Sequence, residues 1–116
     1  VEEGARLGHR RVRPGADGTA IHREIQDLFT ARGCPTGLLD GRMQGFFHGT
    51  GHGLGLQIHE PPSISPRPST LRAGHVVTVE PGLYYLGLGG VRLEDVALVT
   101  ATGSRNLTRA TKVLEI

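Results

Sequence analysis

Phe47-His48-Gly49-Thr50-Gly51-His52-Gly53-Leu54-Gly55-Leu56-Gln57-Ile58-His59-Glu60 places three of the chain's six histidines within twelve residues, with glycine at every second position from 49 to 55. Imidazole is the commonest metal ligand and the commonest acid–base group near neutral pH. Glycine removes the side chains that would keep a substrate or metal away from the backbone. The alternation over Phe46 to Ile58 has the period of a strand, with His48, Thr50, His52 and Leu54 opposite the glycines. So many glycines weaken a strand, so bulges are expected there. The segment reads as a reactive site rather than as core.

Downstream, the period-two pattern continues. His75 to Glu80 and Gly90 to Thr100 are β-branched and alternating, and both read as strands. Upstream, the pattern is helical. Val1 to Arg13 has an acidic start and a basic end, which suits the helix dipole, and Pro14-Gly15 stops it. Asp17-Gly18-Thr19 caps a second helix running to about Arg32, with an apolar stripe at Ile21, Ile25, Leu28 and Phe29 and a stop at Gly33. Residues 34–45 and the proline-rich Pro61 to Pro68 read as loops, and Asn106 to Ile116 as a last strand or a short closing helix. Helices first and strands after predict an α+β fold: two helices packed on a curved antiparallel β-sheet.

At 116 residues the chain is one domain or part of one. No apolar run is long enough for a membrane span, and no leader pattern marks secretion. The lone Cys34 forms no internal disulfide, so a reduced, cytoplasmic setting is the simplest reading. Arg6, Arg10, Arg11 and Arg13 hint at nucleic-acid binding, but residues 1–40 carry six basic and six acidic side chains. A solvated helix face is the better account, and no nucleic-acid partner is expected. The chain begins at Val1, already in a helical pattern without a capping signal, which reads as a cut N-terminus with more protein upstream.

His52, Glu80 and Glu94 make one histidine and two carboxylates, a donor set suited to Mn, Fe, Co or Zn. Glu80 ends the apolar run Val76-Val77-Thr78-Val79, and Glu94 falls inside the second predicted strand. A bare carboxylate there is costly unless a cation or donor pairs with it. Arg92 offers a plain alternative, as an ion-pair partner for Glu94 or Glu80. Each residue alone supports either reading; the three beside the glycine-rich histidine segment favour metal. His48 and His59 flank His52 and suit proton transfer or oxyanion stabilisation. His9 and His22 read as helix-surface residues and His75 as a strand start. His59-Glu60 does not continue to a second histidine at position 63, where Ser63 stands, so it is not the HExxH pattern.

Taken together, these motifs resemble the C-terminal half of the pita-bread metallopeptidases, specifically the Xaa-Pro aminopeptidases and prolidases. The resemblance runs from Arg13-Pro14-Gly15 through His48-Gly49-Thr50-Gly51-His52-Gly53-Leu54-Gly55, Ile58-His59-Glu60-Pro61 and Val79-Glu80-Pro81-Gly82 to Gly90-Val91-Arg92-Leu93-Glu94-Asp95. It implies that residues 1–116 are the C-terminal portion of a single catalytic domain of that fold. It implies His52, Glu80 and Glu94 as metal ligands, Glu80 also as general base, and His48, His59 and Arg92 as catalytic and substrate-binding residues. The implied reaction is hydrolysis of the amide between an N-terminal residue and proline, by water activated between two divalent metals, Mn or Co ahead of Zn or Fe. The implied partner is a peptide with proline at its second position. Homodimers are common in such a family, although no dimer surface is marked in the sequence. Two aspartate ligands of the family match nothing here, so the chain alone is expected to bind metal weakly and to be inactive. The competing reading is an inactive pita-bread module that binds peptides or proteins; such modules usually lose the ligands that remain here.

Overall fold

A computed structural model describes residues 1–113. Among the described residues two helices, α1 (Glu2–Arg11) and α2 (Gly18–Ala31), precede nine strands. Helix α2 starts where the sequence predicts, with the Asp17 carboxylate accepting the Thr19 N–H at 3.0 Å. α1 ends before Pro14, and the turn after it is tied down by Gly15 N–H to Leu71 O and Gly18 N–H to Ser69 O, both 2.8 Å.

The main sheet is antiparallel, in the order β4 (Glu60–Ile64), β3 (Gly51–Gly53), β5 (Val76–Val79), β8 (Asp95–Val99), β9 (Ser104–Asn106). Its alternation decides which side is core and which is site. Val77 and Val79 of β5 and Ala97 and Val99 of β8 are fully buried and join Val12, Ile21, Ile25, Phe29, Phe46, Ile64 and Leu71 in one apolar cluster with the helices. Gly8 of α1 lies directly over Val79, where a Cβ would come within 2.7 Å of the valine. Thr78 and Glu80 fall on the other side of β5. The predicted class, two helices on an antiparallel sheet, is what forms.

Several local expectations are corrected. Residues 34–45 are not a plain loop: β1 (Gly37–Leu39) and β2 (Arg42–Gln44) form a hairpin closed by Asp40-Gly41, both at positive φ. Pro61 to Ile64 is strand rather than loop, on the sheet edge where proline's missing N–H is harmless. Only Gly51–Gly53 of the 46–58 stretch is strand, with a register shift between His52 and Gly53 as the glycines foretold. The single strand expected over Gly90 to Thr100 divides in two. β7 (Gly89–Arg92) pairs with β6 (Gly82–Tyr85) in a separate hairpin, and β8 pairs with β5. Glu94 therefore sits exposed in the break rather than inside a strand. The last strand ends at Asn106; residues 107–113 have no regular structure, and the rest of the predicted closing element lies outside the described residues.

β3 packs so close to β5 that a Cβ on Gly51 would collide with the Thr78 carbonyl. Gly51→Ala should therefore force the two strands apart and lower stability by about 2 kcal/mol or more, read as a drop in the denaturation midpoint.

Candidate functional site

His48, His52, His59, Glu80 and Arg92 all line one cavity of about 690 Å³, together with Ser63, Ser65, Pro66, Arg67, Pro68 and Ser69. Residues from three separate stretches thus converge on one cavity. Glu94, the remaining candidate, is not part of the lining.

His52 and Glu80 meet directly, with Nε2 3.1 Å from Oε1. Both are held from the protein side. His52 Nδ1–H donates to the Gly53 carbonyl at 3.0 Å, which leaves the Nε2 lone pair facing the cavity. The Thr78 hydroxyl accepts the His52 backbone N–H at 3.0 Å and donates to Glu80 Oε1 at 2.9 Å. An imidazole lone pair against a carboxylate oxygen is favourable only with a cation between or beside them, a proton or a metal ion. Two donors at right angles on an ion, each about 2.1 Å away, stand about 3.0 Å apart, so this pair fits two neighbouring coordination positions. Glu94 is brought near without joining them. Arg92 Nε lies 3.8 Å from Glu80 Oε2 and 3.6 Å from Glu94 Oε2, so its guanidinium occupies the space between the carboxylates. The ion-pair alternative is thus geometrically present, and among the described residues no three ligating side chains are clustered closely enough to hold a metal.

The two flanking histidines differ. His48 is not on a shared strand face with His52, yet it reaches the same cavity. Its Nδ1–H donates to the Gly49 carbonyl at 2.8 Å, so Nε2 accepts from the Tyr84 hydroxyl at 3.1 Å. His59 is exposed, with its ring edge-to-face on His52 at 4.7 Å. Tyr84 is a site neighbour that the sequence reading missed. Its position two residues after Pro81-Gly82 on the period-two pattern was the available signal.

Two histidines read as surface residues are not. His9 is half-buried, 3.1 Å from the Asp95 carboxylate, which also takes Lys112 Nζ at 2.6 and 2.7 Å. Burial pushes the Asp95 carboxyl up, but Lys112 and His9 outweigh it and hold it below the usual value. His22 is 3% exposed, with Nδ1 3.0 Å from Thr50 Oγ1. Burial, reinforced by repulsion from His48, pushes its pKa down to about 4. Its one-in-four position beside the apolar stripe carried too little signal to show this.

The match to known proteins follows this geometry. The model of metallopeptidase family M24 matches residues 1–101. This chain belongs to metallopeptidase family M24 and carries the helices and sheets of its pita-bread fold. An uncharacterised peptidase of Bacillus subtilis is 40% identical over 111 residues, which is 95% of this chain and 29% of that protein. The Xaa-Pro dipeptidase of Pyrococcus furiosus is 50% identical over 70 residues, 60% of this chain and 20% of that protein. The crystal structure of the prolidase from Pyrococcus horikoshii superposes with a TM-score of 0.85 at 34% identity, covering 99% of this chain and 31% of that one. The chain thus spans less than a third of the length of these relatives. Among the described residues no helix is long and apolar enough to cross a membrane.

Two outcomes follow from this packing. Thr78→Val leaves the half-buried His52 N–H without its acceptor and should cost about 1 kcal/mol or more in denaturant titrations despite its matched shape. His22, neutral when folded, takes up a proton first in the unfolded chain, whose pKa is near 6.5. Its contribution is whole above pH 6.5 and declines down to about 4, a total of about 3 kcal/mol. Unfolding midpoints across that window should fall with pH in the parent chain and stay flatter in His22→Asn.

Proposed function

We propose that this chain is the C-terminal part of the catalytic domain of an enzyme that hydrolyses the N-terminal Xaa-Pro amide bond of peptides. The observation that carries the reading is the His52–Glu80 contact, 3.1 Å, inside a cavity that also presents His48, His59 and Arg92. His52, Glu80 and Glu94 are assigned as ligands of a divalent centre, with Mn or Co ahead of Zn or Fe. When bound, such metals polarise the scissile carbonyl and make water a nucleophile near neutral pH. Two aspartate ligands of that centre match no residue of the chain, so its own share of the site is three donors.

The chain's residues supply the rest. Thr78 holds Glu80 Oε1 and leaves Oε2 for a proton taken from water, the general-base role. The Tyr84–His48 hydrogen bond orients the His48 ring at one edge of the cavity, and an imidazole released from that bond with a proton on Nε2 is a donor suited to the carbonyl oxygen of the amide. His59, exposed at the lip, exchanges protons with solvent and with the departing proline nitrogen. Arg92 neutralises Glu80 and Glu94 in the absence of metal and is free to turn toward a peptide carbonyl once they are otherwise engaged. Similarity to an Xaa-Pro dipeptidase and to a prolidase supports a proline-directed peptide as substrate. A cytoplasmic location and a homodimer are compatible with this role and are carried as parts of the proposal.

Calorimetric titration of Mn²⁺ and Co²⁺ into the chain tests it. Binding is expected, weaker than in a site with all five ligands. His52→Ala should weaken it by more than the ~10–100-fold that loss of a mere supporting group produces. Metal binding unaffected by His52→Ala, or none at millimolar metal even when the upstream sequence is added, would sink the reading in favour of an inactive peptide-binding module.

A further inference from the structure

Beneath the cavity, α2 contributes an imidazole that neither the candidate ligand set nor the proposed hydrolysis uses. His22 is buried in a helix face whose other buried side chains are Ile21, Ile25 and Phe29. A hydrocarbon side chain there would avoid the cost of desolvating a polar ring, so packing alone does not call for histidine. Its contacts do. Nδ1 lies 3.0 Å from the hydroxyl of Thr50, which is itself fully buried. Thr50 is a junction: its N–H donates to Ile64 O at 2.7 Å, and its carbonyl accepts the Glu80 N–H at 2.7 Å. It also stands midway between His48 and His52. From its ring, His22 reaches the other end of that segment. Its centroid is 5.0 Å from that of Phe46, and Phe46 meets the His48 ring edge-on at 5.1 Å and 90°.

We propose that His22 is a positioning residue that aligns His48, His52 and Glu80 with one another, through Thr50 on one side and Phe46 on the other. It touches neither substrate nor metal. The inference rests on the reading of those three residues given above. A neutral buried ring suits the task, because it keeps one hydrogen bond without bringing a charge beneath His48. Partners one shell removed from a metal site typically set its affinity by ~10–100-fold, because they fix the direction of the ligand.

Long-range ¹H–¹⁵N spectra of the imidazoles in the metal-free chain test this directly. The Nδ1–H tautomers of His48 and His52, set by the Gly49 and Gly53 carbonyls, give separate signals. In His22→Leu and in Thr50→Val both sets should shift or broaden. His22→Asn, which keeps a polar atom near the Nδ1 position, should restore them. Ile25→Val, a cavity in the same helix away from Thr50, should lower stability and leave them in place. In parallel, Mn²⁺ affinity should fall on the order of 10-fold in His22→Leu. Unmoved signals in a folded His22→Leu and in Thr50→Val would overturn the proposal; if His22→Leu does not fold, Thr50→Val decides alone. A wild-type chain that takes up no metal even when the upstream sequence is added counts against the hydrolytic reading instead, and the spectral comparison still judges His22.

Discussion

The close approach of β3 to β5 at Gly51 is the constraint on which the rest of the site depends. With no Cβ at that position, the two backbones come near enough for the Thr78 hydroxyl to bridge the His52 N–H and the Glu80 carboxylate. A larger residue at 51 would separate the strands, and the imidazole and carboxylate would no longer share one side of the sheet at 3.1 Å. The same alternation that turns Thr78 and Glu80 to the cavity turns Val77 and Val79 into the helix-covered core. Core and site are therefore two faces of one short strand, and helix packing on one face holds the geometry of the other.

Electrostatics adds a second layer. Three carboxylates crowd the end of β5 and the start of β8, and each has a cation. Arg92, half-exposed, stands between the largely buried Glu80 and the exposed Glu94 at 3.8 and 3.6 Å, too far for hydrogen bonds and therefore exchangeable. Asp95, almost fully buried, is held by Lys112 and His9, where removal of one partner would strand a charge. The arrangement separates a carboxylate pair that is open to rearrangement from one that is anchored. That is the division expected if Glu80 and Glu94 exchange Arg92 for another cation while Asp95 keeps β8 in place. Membership of metallopeptidase family M24 gives this division a chemical context.

Much of this was legible in the residues. The Pro14-Gly15 stop, the Asp17 cap and the stripe Ile21, Ile25, Phe29 are local signals, and α1 and α2 formed as they indicated. The glycine alternation foretold both a strand and its irregularity, and β3 is short and bulged. The Asp40-Gly41 hairpin was also readable, because that dipeptide favours positive φ at both positions, but the residues around it lack a β-branched run. Pro61 to Ile64 misled for the opposite reason: prolines argue against a strand in general and not against an edge strand.

The sequence by itself determined the fold class, the two helices and the strand identity of the Val76–Val79 run, because each follows from a period or a cap written within a few positions. Only the tertiary structure decided three other things. It placed the break between β7 and β8 that leaves Glu94 outside, set by two halves of one alternating run pairing with different partners. It paired Arg92 with both carboxylates. It buried His22 against Thr50, twenty-eight residues away. Local periodicity reports which face a residue prefers; it carries no information about which distant polar atom waits on that face, and that is where these side chains acquire their roles.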